Sequence, residues 1–135
     1  MATDRQAQTD TDGKEYIYEE LAYKIIGLAI EVRQKLGLGF LEKVYENALM
    51  VLLKRETIKC GQQYPIDVLF EGQKVGHYVA DIIVEDKIII EIKAAEQIAN
   101  EHRAQALNYL KATGLRLAII MNFGPKDFTF ERIIL

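Results

Sequence analysis

Ile88-Ile89-Ile90-Glu91-Ile92-Lys93 is the stretch on which the fold of this chain turns. A short β-branched apolar run without Gly or Pro is what a strand covered on both faces looks like, so this one is expected at the centre of a sheet. Glu91 and Lys93 lie two residues apart and therefore share one face, while Ile90 and Ile92 share the other. A carboxylate and an amine thus emerge together from an isoleucine core. Burying either charge alone costs on the order of several kcal/mol, so the pair needs a partner, solvent or a metal ion. A salt bridge at an exposed strand end would use the same residues without any chemistry.

Upstream, residues 75–84 read as the preceding strand and carry Asp81. In an antiparallel hairpin the two acids meet on one face only if paired residue numbers sum to an even value. A three-residue loop, Glu85 to Lys87, would pair Val84 with Ile88 and set Asp81 opposite Glu91, with Cβ atoms roughly 4.5–5.5 Å apart. A two-residue loop would oppose Asp81 to Ile90 and separate the acids. Two carboxylates at that spacing can share a hard cation, and an oxygen-rich, Cys-free cluster suits Mg²⁺ or Mn²⁺ over zinc.

Further out, apolar residues at Ile17, Leu21, Ile25, Leu28, Val32 and Leu36 draw one helical stripe over residues 15–36. After Gly37-Leu38-Gly39, a second stripe at Leu41, Tyr45, Ala48 and Leu52 predicts a helix running to about Glu56. The period then drops to two at Ile66, Val68 and Phe70, and Glu71-Gly72-Gln73 reads as a hairpin turn. Residues 100–113 form a third helix with Asn100 as its N-cap and Gly114 beyond its end. Residues 115–121 make a buried strand and residues 128–135 an edge strand. The fold class is α/β, a central mixed sheet flanked by helices in the order α-α-β-β-β-α-β-β.

The chain has 135 residues, half of them apolar and 27% charged, the balance of one globular domain, assigned to residues 15–135. Residues 1–14 read as a flexible polar tail without the pattern of a signal peptide, and no apolar run reaches membrane-spanning length. Cys60 is the single cysteine, which excludes an internal disulfide and a zinc knuckle and points to a reducing, cytoplasmic setting. The formal net charge of −3 weighs against a broad nucleic-acid-binding surface, since such affinity comes mainly from Lys and Arg. A bound cation would reverse the field locally in a carboxylate cleft.

Asp81 followed ten residues later by Glu91-Ile92-Lys93 resembles the D…ExK signature of the PD-(D/E)XK nuclease superfamily. Gly39-Phe40-Leu41-Glu42-Lys43-Val44-Tyr45 matches the motif that names the GxxExxY protein family. Gln105-Ala106-Leu107-Asn108-Tyr109 is similar to the QxxxY element of RecB-like and lambda-exonuclease-like members. The likeness runs over residues 15–135; Ala80 stands where the superfamily's name has proline.

The resemblance implies a restriction-endonuclease-like core and a Mg²⁺- or Mn²⁺-dependent nuclease that acts on nucleic acid, DNA rather than RNA, by water attack. It implies that Asp81, Glu91, the backbone carbonyl of Ile92 and Glu42 hold the metal, with Lys93 as the catalytic lysine. Glu46, one turn after Glu42, is the substitute acid. Gln105 and Tyr109 would support the site or touch substrate, and Tyr45 is expected to fix its helix through a hydrogen bond. Gly39 is expected at a positive φ or a close helix start. His77 and His102 fall outside the motifs and read as surface or cap residues. A non-catalytic module binding nucleic acid or protein through the same fold is the alternative, because fold does not fix function. A homodimer would lengthen a substrate groove. Lys54, Arg55, Lys59, Arg103, Lys111 and Arg116 are the cations that could line such a groove.

Overall fold

Four isoleucines in six residues must be hidden from water on both sides, and the architecture is what hides them. The computed structural model describes residues 18–135 together with two short strands, β1 (Gln8–Thr9) and β2 (Glu15–Tyr16), which pair antiparallel. The expected flexible tail over residues 1–14 lies, apart from the backbone of β1, outside the described residues. The helices are α1 (Glu19–Leu36), α2 (Glu42–Arg55) and α3 (Asn100–Thr113). The strands that follow β2 are β3 (Cys60–Phe70), β4 (Gln73–Val84), β5 (Ile88–Lys93), β6 (Leu117–Asn122) and β7 (Thr129–Ile134).

These five form one mixed sheet in the order β3-β4-β5-β6-β7, antiparallel except for the parallel β5/β6 pair. β5 is the middle strand and β7 an edge, as the apolar patterns require. Alternation on β5 divides the core: Ile88, Ile90 and Ile92 join the cluster beneath α1 and α2, and Ile89 joins the cluster beneath α3. Burying each such side chain stabilises the fold by about 1.5–3 kcal/mol relative to exposure. Among the described residues no helix is long and apolar enough to cross a membrane.

Three of the boundaries that differ from the sequence expectation have a local physical cause. Helix α1 starts at Glu19 rather than at residue 15, because Tyr18 adopts a left-handed φ of 54° and Glu15–Tyr16 is extended. Strand β3 begins at Cys60, well before Ile66; it is an edge strand, where Pro65 is tolerated and pairing with β4 needs no apolar alternation. The residue preceding α3 is Ala99 rather than Asn100, and its N–H donates to Nδ1 of His102 at 3.0 Å, so a side chain three residues on does the capping. His77 pairs with Asp67 on the exposed β3–β4 hairpin.

The α1–α2 turn is fixed by Tyr45. Its hydroxyl donates to the Gly37 carbonyl at 2.7 Å and accepts from the Phe40 N–H at 3.3 Å, while its fully buried ring stacks on Phe123 with centroids 4.6 Å apart. Gly39, between them, has φ of +92°, a conformation that a Cβ would strain. Tyr45→Phe keeps the stack and removes the hydroxyl, so unfolding in urea is expected to show a loss of about 1 kcal/mol with an unchanged slope.

Candidate active site

The chemistry-bearing residues gather where the β4/β5 ladder ends. The pairs Ile82↔Ile90, Ile83↔Ile89 and Val84↔Ile88 follow a three-residue turn in which Glu85 and Asp86 are left-handed, so the register is even. One step beyond the last pair, Asp81 and Glu91 face each other, and their side chains take over from the backbone. The Asp81 N–H donates to Glu91 Oε2 at 2.9 Å, and the Ile92 N–H donates to Asp81 Oδ2 at 2.7 Å. On the other side, the register sets Gln63 opposite Asp81, yet Gln63 drops out of the β3/β4 ladder with φ of 54°. Asp81 thus sits where β4 loosens from both neighbours.

Burial sets the electrostatics. Glu91 is only 4% exposed, and desolvation, followed by repulsion from Asp81, pushes its carboxyl up to about 8. Asp81 is also raised, chiefly by desolvation and then by Glu46 and Glu42, although the Ile92 N–H and Lys93 pull the other way. Lys93 lies on the Glu91 face at the open end of β5 and donates from Nζ to Gln105 Oε1 at 3.1 Å. Its charge acts on both carboxylates.

The remaining motif residues take different places. Tyr109, one helical turn past Gln105, is buried, and burial together with Glu91 and Asp81 holds its hydroxyl up at about 12. Ile92 turns its side chain into the α1/α2 core and presents only backbone to the site. Glu42 is exposed and accepts from the Ala94 N–H at 3.3 Å. Tyr45, on α2, directs its hydroxyl to the α1–α2 turn.

Glu46, ranked behind Glu42 from sequence, is the helix acid that the structure buries. It is 3% exposed and accepts from Lys43 Nζ, Gln62 Nε2 and Gln63 Nε2. Its charge acts on both Asp81 and Glu91. Helical spacing puts Glu42 and Glu46 on one face, and the partners that Glu46 finds on β3 and in Lys43 distinguish them.

Sequence reasoning also missed Asn122 and Gly124. Asn122 is 2% exposed; its Oδ1 accepts from the Ala95 N–H at 2.9 Å and its Nδ2 donates to the Ala95 carbonyl at 3.0 Å. The Phe123 N–H donates to the Lys93 carbonyl at 2.7 Å. A Cβ on Gly124 would lie 1.9 Å from the Ala95 oxygen, so only glycine lets the two segments cross. Together these contacts fix the backbone leaving Lys93. Gly124-Pro125 after a buried strand is a turn signal, but nothing in the sequence ties it to Ala95.

Among the described residues no group of three or more His, Cys, Asp or Glu side chains closes around one point. The donors present are nevertheless all oxygen; burial raises the proton affinity of Glu91 and, in the same direction, of Asp81 beside it, so a cation would compete with protons there. That donor chemistry fits Mg²⁺ or Mn²⁺.

Comparison with known proteins places this geometry in a family. The family model of the PD-(D/E)XK nuclease superfamily matches residues 19–133. The crystal structure of SSO0001 superposes with a TM-score of 0.57 and 22% identity, covering 85% of this chain and 59% of that one. An alkaline exonuclease (LHK-Exo) from Laribacter hongkongensis superposes with a TM-score of 0.51 and 16% identity, covering 84% of this chain and 70% of that one. Identities this low speak for the fold alone. No curated protein matches the sequence.

Two outcomes test the site's energetics. An acid held above its ordinary value of 4.5 keeps a proton in the folded chain that the unfolded chain has lost. Stability without metal is therefore full below about pH 4.5 and falls as pH rises toward 8, by at most about 1.4 kcal/mol per unit for this group. Glu91→Gln should flatten that decline in chelator and raise the melting temperature at pH 8; a steeper decline would refute the assignment. For the crossing, Gly124→Ala should lower stability by about 1–3 kcal/mol in chemical denaturation, because the clash is with backbone.

Proposed function

Because this chain belongs to the PD-(D/E)XK nuclease superfamily, we propose that it is a Mg²⁺-dependent nuclease that hydrolyses phosphodiester bonds in DNA in preference to RNA. The observation that carries the reading is the pair of carboxylates that accept from the Asp81 and Ile92 N–H groups where the ladder ends, with Lys93 on the Glu91 face. Two desolvated carboxylates and an amine at an open strand end have no need of one another for the fold. Neutral amide side chains could accept from the same N–H groups without taking charge out of water, so the fold does not require the charges themselves.

In this reading Asp81, Glu91 and the Ile92 backbone carbonyl hold the cation, joined by a helix acid. Glu46 supports that role through its charge on both carboxylates, and Glu42 through its place beside the Ala94 N–H. A bound divalent cation polarises the phosphate and lowers the pKa of water. The protein's own part is to aim Lys93. Gln105 holds its Nζ at 3.1 Å, and the amine then donates to the attacking water or to a phosphate oxygen as negative charge develops there. Tyr109 keeps its proton, so its hydroxyl stays available as a hydrogen-bond donor.

Wild type and Lys93→Ala compared on single-stranded DNA, duplex DNA and RNA with Mg²⁺ or Mn²⁺ test the proposal. The variant should lose about 10²–10³-fold in cleavage rate while keeping its fold. Equal cleavage by both, or no cleavage by wild type at enzyme excess, rejects it. Mg²⁺ should also raise the melting temperature of wild type at pH 8, and that rise should shrink in Asp81→Asn.

A further inference from the structure

The β3–β4 hairpin and α3 enclose a groove of about 910 Å³ whose wall includes Gln105, the partner of Lys93 Nζ. Val68, Leu69 and Tyr78 line it from the hairpin, and Gln105, Asn108 and Tyr109 from the helix. We propose that this groove seats the unpaired bases of a nucleic-acid strand, stacked on Tyr78, as the strand enters the Asp81–Glu91–Lys93 site. The inference rests on the nuclease reading of that site and specifies its substrate as single-stranded.

Three observations favour bases over other occupants. The first is continuity: Gln105 lines the groove and binds Lys93 Nζ, and Tyr109 lines it while lying within the field of Glu91 and Asp81. A strand in the groove is therefore delivered to the amine.

The second is charge. Lys111 and Glu101 line the groove and cancel, and three of the molecule's cations are committed elsewhere, Arg55 to Glu31, Lys59 to Asp86 and Arg103 to Glu131. With a net charge of −3, the groove has little with which to neutralise a phosphate backbone. Its complement is a neutral planar ring with amide-like edges, which the Gln105 and Asn108 amides can hydrogen-bond.

The third is shape. Tyr78 is 52% exposed although its ring lies 5.8 Å from that of Tyr109, so an aromatic face remains uncovered at the groove wall. Consecutive residues on a strand normally face opposite ways, yet Val68 and Leu69 both line the groove. The register shift between them accounts for it, since a bulge re-aims a side chain. In a duplex the base faces are already stacked on one another and cannot meet this wall.

Fluorescence anisotropy of a short labelled DNA single strand and of its duplex, with the full chain in Ca²⁺, tests the inference. The single strand should bind at least about tenfold more tightly than the duplex. Tyr78→Ala should weaken it by about 5- to 100-fold, and Tyr78→Phe should leave it unchanged. Its log–log salt slope should be shallower than about −3, as for few phosphate contacts. Duplex binding as tight as single-strand binding, wild-type affinity in Tyr78→Ala, a steep salt slope, or no binding of either DNA overturns the groove assignment. Tyr78 is half exposed, so a melting temperature close to wild type is expected for both variants. Binding that depends on Tyr78 without cleavage would reject hydrolysis and keep the groove. Cleavage that depends on Lys93 without any effect of Tyr78→Ala on binding would do the reverse.

Discussion

The pair of hydrogen bonds by which the Glu91 and Asp81 carboxylates accept from the Asp81 and Ile92 amides is the constraint around which the rest is arranged. At the point where β4 leaves β5, two backbone amides would lose their partners, and the two carboxylates accept from them instead. That substitution keeps the amides satisfied and lets the sheet open, but it holds two acids out of water. Their raised proton affinity is the physical consequence of desolvation and mutual repulsion. An opening, a pair of oxygen donors and a surplus of negative charge are thus one feature seen in three ways.

Everything near that feature either tolerates or uses the strain. Gln63 adopts a left-handed conformation on the far side of Asp81, and its side chain helps to satisfy the buried Glu46. Asn122 and the Phe123 N–H hold the chain just beyond Lys93, so the lysine leaves a strand end that is tied on its parallel neighbour. Gln105 comes from the helix of the opposite layer to meet the amine. The Lys93 amine is met from α3 and its carbonyl by the Phe123 N–H, so the end of the middle strand is where contacts from separate elements collect. The groove beside α3 extends the same logic outward, with neutral and aromatic walls where the carboxylates give way to surface.

Much of this was legible in the residues. The isoleucine run placed β5 at the centre, because nothing but double-sided burial explains four β-branched apolar residues in six. The parity condition on Asp81 and Glu91 was also readable, since a strand has period two and the loop length then fixes the face. Tyr45 was expected to anchor its helix, and its hydroxyl bridges Gly37 and Phe40 across the turn. By contrast, the early start of β3 left no trace, because an edge strand pairs through backbone that Gln62, Gln63 and Pro65 do not advertise. The late start of α1 was hidden too: the apolar stripe continued through Ile17 while Tyr18 had already left the helical region.

The sequence by itself determined which residues share a face, since helix and strand periods are local properties of the chain. That was enough for the layer order, the central strand and the grouping of Glu91 with Lys93. Tertiary structure decided what those faces meet. Glu42 and Glu46 are equivalent by spacing, yet one is exposed and the other, with partners on β3 and in Lys43, is buried. Asn122, Gly124 and the pairing of Val68 with Leu69 on one groove wall belong to the same class. They depend on contacts between segments far apart in the chain, and on a bulge whose position no local period encodes.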